Sequence, residues 1–145
     1  MIRHAGLIAR YDRGAWRGVL IEGPSGSGKS DLALRALAAG FRLVADDRTL
    51  VFASAGRLFG RAPASLKHRL EVRGVGIVAE PALDRAQIIL IARCLPADAR
   101  AERLPDETVQ TLLGVSVPTV DVAAFDTSSP LKLVRAMEHL GRREQ

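Results

Sequence analysis

The segment Gly23–Ser30, GPSGSGKS, places glycines, a lysine and a serine directly before an apolar helical pattern. It matches G-x-x-x-x-G-K-[ST], in which curled backbone turns successive N–H groups toward one anion and a helix begins at the same place. Lys29 would reach the β- and γ-phosphates, and the Ser30 hydroxyl would bind Mg²⁺. The spacing predicts a nucleoside triphosphate site, with ATP and Mg²⁺ as cofactors; the alternative is a glycine-rich turn with an exposed lysine. The residues expected to bind the phosphates are Gly23, Pro24, Ser25, Gly26, Ser27, Gly28, Lys29 and Ser30.

Two adjacent carboxylates, Asp46 and Asp47, end the short apolar stretch FRLVADD. A strand that follows a phosphate-loop helix often delivers a carboxylate beside the phosphates. One aspartate would position Mg²⁺ or water, a role we assign to Asp46, and the other would accept a proton from an incoming hydroxyl. The alternative is a polar turn in which Asp46 caps the next segment.

The stretch LEVRGVGIV adds a carboxylate and a guanidinium farther along the chain. Glu71 is a candidate second metal contact. Arg73 would neutralise charge on a transferring phosphoryl group, or form an ordinary surface ion pair. The two glycines that follow indicate a bulge or a close backbone approach within a strand.

The elements that must position these residues alternate between strands and helices. We predict strands over His4–Arg10 and Val19–Gly23 joined as a hairpin, then a helix from about Ser30 that stops at Gly40, then a strand over Phe41–Asp47. The Gly23–Ser30 loop therefore lies at the end of a strand and the start of a helix.

The rest of the chain predicts more hairpins and a final helix. The pattern TLVFASAGRLFG indicates a second hairpin, Leu70–Val78 indicates a strand interrupted by glycines, and Ala86–Leu95 is the best candidate for the central strand. The stretch VSVPTVDVA is a further possible strand. A helix begins at Pro130 with Ser129 as its N-cap, and Gly141 follows its end. The mixture predicts an α/β fold in one domain, residues 1–145, with hairpins that a doubly wound sheet would not need.

Composition and charge narrow the classes of function. The net charge of +5 fits an anionic partner, but the arginines are dispersed and aromatic residues make up 4%, so we expect no nucleic-acid binding. The apolar runs are too short for a membrane span. A lone cysteine, Cys94, and the lack of a visible secretory signal predict a cytoplasmic protein that does not act at a membrane.

Taken together, three motifs in this order resemble the catalytic domain of bacterial HPr kinase/phosphorylase. They are GPSGSGKSDLAL, GFRLVADD and LEVRGVGI, and the match covers His4–Ile77. The resemblance implies a P-loop fold of the HPr kinase and phosphoenolpyruvate carboxykinase type, with a mixed sheet, hairpins and a C-terminal helix. It also implies ATP- and Mg²⁺-dependent phosphorylation of a serine in the phosphocarrier protein HPr of the sugar phosphotransferase system, a reverse phosphorolysis, and a homohexamer.

The resemblance also assigns roles to single residues. Asp47 matches the proton acceptor, and Lys29 matches the lysine on the phosphates. Ser30 and Glu71 match the metal contacts. His4 matches a histidine that lies by the active site at the start of the first strand.

The sequence departs from the family in two respects. Family members usually carry an additional N-terminal domain, so we expect a short form. The family also has a proline-glycine-arginine-asparagine segment with a catalytic arginine after a Val-Pro strand, whereas Val117 and Pro118 are followed by no such segment. The later helix supplies Lys132 and Arg135 outside any matching motif. Kinase activity is therefore supported and phosphorylase activity is in doubt; an ATP-sensing module with little turnover and a small-molecule kinase remain alternatives.

Overall fold

A computed structural model describes residues 1–141, which form a large mixed sheet, a small two-stranded sheet and two α-helices. Two single-turn 3₁₀ helices, Leu37–Ala39 and Ala64–Leu66, complete the elements. The strands are β1 (Ile2–Arg3), β2 (Ala5–Asp12), β3 (Ala15–Glu22), β4 (Arg42–Ala45), β5 (Thr49–Ser54), β6 (Arg57–Arg61), β7 (Arg69–Val72), β8 (Gly76–Ala79), β9 (Ala86–Cys94), β10 (Thr108–Leu112) and β11 (Val115–Val122), and the helices are α1 (Lys29–Ala36) and α2 (Ser129–His139).

The large sheet has the order β1-β5-β6-β9-β3-β2-β4, and β10 and β11 join it through β9. β9 lies parallel to β3 and β11 and antiparallel to β6, which confirms the central position predicted for this strand. β2 is antiparallel to both β3 and β4, so β4 runs in the same direction as β3. The carboxyl ends of β3, β4, β9 and β11 therefore meet at one edge, where open α/β sheets bind their ligands.

Both faces of the central strands are buried. Leu7 and Leu20 belong to one hydrophobic cluster, while their neighbours Ile8 and Ile21 belong to the other, beneath α1 and α2. Successive side chains of a strand point to opposite faces, so these strands are continuous apolar runs instead of alternating patterns. The helices α1 and α2 thus pack on one face only.

Three hairpins of the sheet share one turn chemistry. Each has a two-residue turn with positive φ at both positions: Arg13–Gly14, Ala55–Gly56 and Leu113–Gly114. Such turns match the twist of antiparallel strands. The first two hairpins are confirmed. The sequence did not predict β10. The β10–β11 turn places Leu113 in a left-handed conformation that leucine rarely adopts, so its pattern does not indicate a hairpin.

The interrupted strand predicted over Leu70–Val78 is wrong, because the chain reverses within it. β7 and β8 form a separate antiparallel hairpin. Gly74 (φ 85°) and Gly76 (φ 123°) supply the backbone conformations that the reversal needs, and the Val75 amide donates to the Val72 carbonyl at 2.9 Å. Arg73 therefore lies at the tip of a hairpin, and Glu71 lies on its first strand.

The helix ends mostly follow the sequence signals. The first helical segment stops at Gly40, which has φ 89°, as predicted. The N-cap of α2 is Ser128 instead of Ser129. The Ser129 hydroxyl donates to the Ala123 carbonyl at 2.6 Å, so it fastens the preceding loop instead of capping the helix.

Candidate active site

The loop between β3 and α1 curls back on itself before the helix begins. The Ser27 amide donates to the Pro24 carbonyl at 3.1 Å, and Gly26 and Gly28 have φ of 79° and 93°. Gly28 is the N-cap of α1, and its carbonyl accepts from the Leu32 amide at 2.8 Å. The glycines are needed here because side chains rarely adopt these conformations.

The Lys29 ammonium group folds over the mouth of this loop. Its Nζ donates to the Gly23 carbonyl at 2.6 Å and contacts the Pro24 carbonyl at 3.4 Å. Among residues 1–141, no carboxylate forms an ion pair with it. A cation held only by carbonyls at a helix N-terminus is suited to an anion.

Ser27 contributes a hydroxyl with no hydrogen-bond partner in the described part of the chain. The residue is 2% exposed, and its Oγ is one of two such buried side-chain atoms. Buried polar groups are normally paired, so an orphan of this kind indicates a missing partner. A phosphate oxygen in the loop would be a suitable partner, which supports the fit of this loop to a phosphate group.

Asp46 connects α1 to the β7–β8 hairpin. Its Oδ1 accepts from the Ser30 hydroxyl at 2.8 Å, and its Oδ2 accepts from the Glu71 amide at 2.9 Å. Oxygen ligands of this kind, a carboxylate beside a serine hydroxyl, suit Mg²⁺. Ser30 and Asp46 are therefore candidates to hold the metal, and Glu71, which lines the cavity beside Ser30, is the third candidate.

Asp47 occupies a strained turn at the end of β4. Its φ is 67°, and the Arg48 amide donates to the Asp46 carbonyl at 2.7 Å across it, which is the hydrogen bond of a γ-turn. A γ-turn with positive φ is rare and strained, and such strain is concentrated at functional sites. The turn places Asp47 in the lining of the cavity that also contains Lys29, while Asp46 contacts Ser30 and the Glu71 amide.

One cavity of about 290 Å³ collects most of the predicted site residues. It lies over the start of α1 and is walled by the β7–β8 hairpin. Arg73 lines it, and no ion pair of Arg73 occurs within residues 1–141. The lining residues are Pro24, Ser25, Gly26, Gly28, Lys29, Ser30, Asp31, Asp47, Glu71, Arg73 and Phe125.

Four predicted site residues do not line this cavity: Gly23, Ser27 and Asp46, which adjoin lining residues in sequence, and His4. The one farthest from the others in sequence is His4. It lies exposed in the bend between β1 and β2, at the same sheet edge, since the next residue, Ala5, pairs with Glu22. Its role stays a prediction.

Phe125 is the residue that sequence reasoning missed. It lies between β11 and α2, and its ring reaches the Gly23–Ser30 loop from a position 97 residues after Gly28. The available signal was an isolated aromatic residue just past the end of a strand, in a chain that is 4% aromatic.

A second, more open cavity of about 490 Å³ borders the other side of the loop. Glu22 accepts from Arg3 at 2.7 Å and from Gln110 at 2.6 Å, and Arg93 pairs with Asp121 at 3.0 Å. These pairs neutralise the charged side chains that line this second cavity.

Cys94, at the end of β9, packs directly beneath the loop. It is 3% exposed, and a Cβ placed on Gly23 would lie 2.6 Å from the Cys94 carbonyl oxygen. Burial raises the pKa of the Cys94 thiol to about 11, while Lys29 and Arg35 oppose this effect. The thiol is therefore protonated at neutral pH and serves packing.

The fold and the site define an α/β protein whose glycine-rich loop meets two aspartates at the carboxyl edge of a mixed sheet. Residues 3–141 match the model of the HPr Serine kinase C-terminal domain. The chain belongs to this family.

Comparisons with individual proteins agree with this membership. The chain is 41% identical to the HPr kinase/phosphorylase of Limosilactobacillus reuteri over 116 residues, which cover 72% of this chain and 36% of that protein. It is 35% identical to the HPr kinase/phosphorylase of Lactobacillus delbrueckii subsp. bulgaricus over 134 residues, covering 85% of this chain and 40% of that protein. The chain thus spans less than half the length of these curated relatives.

A solved structure shares the fold. The structure described as the Hpr(Ser) kinase/phosphatase from Coxiella burnetii superposes with a TM-score of 0.80 at 22% identity, covering 100% of this chain and 99% of that one. The prediction of an α/β mixed sheet of HPr kinase type with a C-terminal helix is confirmed. No helix in the described part of the chain is long and apolar enough to cross a membrane.

Proposed function

We propose that this chain is an ATP- and Mg²⁺-dependent protein serine kinase that phosphorylates HPr, or an HPr-like phosphocarrier, of a bacterial phosphotransferase system. The observation that carries the proposal is the meeting of Lys29, Ser30, Asp47, Glu71 and Arg73 around one cavity in a chain of this family. The names of the relatives support the choice of acceptor.

In this proposal the loop binds the phosphates and the carboxylates handle the metal and the proton. The amides of Gly26–Ser30 and the Lys29 ammonium hold the triphosphate. Ser30, Asp46 and Glu71 hold Mg²⁺, which when bound neutralises charge on the phosphate oxygens. Asp47 accepts the proton of the acceptor serine as its oxygen bonds to phosphorus, and the bond to the leaving diphosphate breaks.

Arg73 supplies the positive charge that phosphoryl transfer requires. In this chain residues 123–128, after β11, contain no arginine, whereas Arg73 lines the cavity from the hairpin tip. We assign it to the developing charge on the transferred group. The reverse phosphorolysis is the weaker part of the proposal, because no segment with the family's catalytic arginine follows Val117 and Pro118.

The experiment is transfer of label from γ-labelled ATP to HPr with Mg²⁺, for the native chain and for Asp47→Asn. The amide cannot accept the serine proton, so we expect transfer to fall by a factor of roughly 10²–10⁴. ATP affinity should change little, since Asp47 takes no part in holding the phosphates. Phosphoserine on HPr with the native chain alone would support the proposal.

The alternatives predict different results in the same assay. An ATP-sensing module with little turnover, favoured by the absence of the arginine segment, would bind ATP with no label on HPr. A small-molecule kinase would label a metabolite instead of HPr. The homohexamer implied by the resemblance stays a prediction, and light scattering of the purified protein measures it directly.

A further inference from the structure

The Phe125 ring covers Gly28 of the Gly23–Ser30 loop with one of its faces. A Cβ built on Gly28 would lie 2.9 Å from Cζ, 3.0 Å from Cε1 and 3.2 Å from Cε2 of the ring. The three distances are nearly equal, so Gly28 lies over one face of the outer half of the ring, and the opposite face is turned away from the loop. Because the residue is 50% exposed, ring surface remains open to solvent where it lines the cavity.

The backbone that carries this ring is firmly held. The Arg35 guanidinium of α1 donates to the carbonyls of Ala124 and Asp126, the residues on either side of Phe125. An ion pair with the Asp31 carboxylate holds that guanidinium in place, with 2.8 Å between Arg35 Nε and Asp31 Oδ2. An exposed phenylalanine on a tethered backbone is preorganised, so it loses little conformational freedom when a ligand contacts it.

The other aromatic residues already have partners. Tyr11 and Trp16 meet edge to face at 5.4 Å, Phe52 and Phe59 stack at 5.6 Å, and Arg10 lies 5.7 Å above Phe41. Among the described residues, Phe125 is the aromatic side chain that lines the cavity and has no ring or cation partner. A planar ligand that stacks on the ring face turned away from Gly28 would supply such a partner.

We propose that Phe125 is the stacking platform for the purine base of the nucleotide whose phosphates the loop holds. This inference rests on the proposed function, because the loop must first bind a triphosphate. Stacking on an aromatic face tolerates any purine, so ATP and GTP bind with similar affinity. Phe125 is thus a specificity residue for nucleotides over inorganic polyphosphates.

The test compares nucleotide and base-free ligand by calorimetry in the presence of Mg²⁺. Phe125→Leu keeps an apolar contact with Gly28 but cannot stack. We expect it to weaken ATP binding roughly ten- to a hundred-fold and to change tripolyphosphate binding less than about three-fold. Phe125→Trp should retain ATP binding. Phe52→Leu removes an aromatic side chain from the β5–β6 hairpin and should leave both affinities unchanged.

The outcomes separate the platform from the proposed function. An equal loss of ATP and tripolyphosphate binding in Phe125→Leu would mean that the ring only supports the loop, and unchanged ATP binding would mean that the base lies elsewhere. Either result overturns the platform while the kinase proposal stands. Failure of the native chain to bind tripolyphosphate overturns both. The expected binding pattern without transfer to HPr overturns the kinase proposal alone.

Discussion

At the scale of single residues, the two adjacent aspartates are separated by geometry into different tasks. Asp46 points toward α1 and the β7–β8 hairpin, where it accepts hydrogen bonds from Ser30 and Glu71. Asp47 borders the cavity from a backbone with φ of 67°. Strain of this kind persists only where the surrounding structure imposes it, so the strand end and the Asp46 contacts must hold the turn.

The strained φ of Asp47 predicts an unusual order of stabilities. Glycine normally lowers stability relative to alanine, but it adopts positive φ without steric cost. We expect Asp47→Gly to be more stable than Asp47→Ala by about 1 kcal/mol in urea unfolding. The matched pair Asp98→Gly and Asp98→Ala, in the exposed loop after β9, should not favour glycine in this way. An Asp47→Ala protein more stable than Asp47→Gly would refute the γ-turn.

The buried thiol of Cys94 gives a pH-dependent prediction. Its pKa rises from 9.0 to about 11 on folding, so at pH 8 the folded thiol has roughly a hundredth of the thiolate of an unfolded one. We expect native labelling by iodoacetamide to be at least about 100-fold slower than labelling in denaturant. Because the unfolded thiol ionises first, its contribution to stability is complete below about pH 9 and is lost as pH rises through 11.

Cys94 is the sole cysteine, so the Cys94→Ser variant has no thiol and serves as the control for labelling at other groups. Equal labelling rates in native and denaturing buffers at pH 8 would show that the thiol is accessible and ionised, which contradicts its position under the loop.

At the scale of elements, α1 holds the site together through its outer face. Its first turn carries Lys29 and Ser30, and Arg35 in its last turn binds the loop between β11 and α2. The β7–β8 hairpin is attached to α1 through Asp46, which accepts from the Glu71 amide and from the Ser30 hydroxyl. One short helix therefore positions parts that come from three separate segments of the chain.

Removal of the Arg35 tether should loosen the loop that bears Phe125. Arg35→Met keeps the aliphatic stem but leaves the carbonyls of Ala124 and Asp126 without this donor. We expect a loss of about 1–2 kcal/mol in the free energy of unfolding, since hydrogen bonds to charged groups contribute on this order. Urea titration measures it, with Arg103→Met in the exposed β9–β10 loop as the control. Equal stability of the two variants would contradict the tether.

At the scale of the whole molecule, stability depends on the central strands that carry the site at their ends. β9 pairs with three strands, and its residues Leu90 and Ile91 are 0% exposed on opposite faces. The loop, Cys94 and the second cavity all lie at its carboxyl end. The same burial that stabilises the sheet therefore fixes the edge where the chemistry is proposed.

Truncation of the core at β9 should destabilise the entire fold. Leu90→Ala removes buried methyl groups beneath the helices and leaves a cavity, which lowers the free energy of unfolding by about 2–5 kcal/mol. Leu131→Ala, at a position of α2 that is 57% exposed, should change it by less than about 0.5 kcal/mol. Chemical denaturation with circular dichroism measures both. A Leu90→Ala protein as stable as Leu131→Ala would contradict the central position of β9.

The sequence by itself determined the local features: the loop and its helix, the stop at Gly40, the first two hairpins and the apolar run of β9. These follow from φ preferences and side-chain periodicity, which neighbouring residues encode. Only the tertiary structure decided that residues 70–76 turn back as a hairpin, that Asp46 joins Ser30 to the Glu71 amide, and that Phe125 reaches Gly28. Those contacts depend on the order of strands in the sheet, and the same local pattern is compatible with several orders.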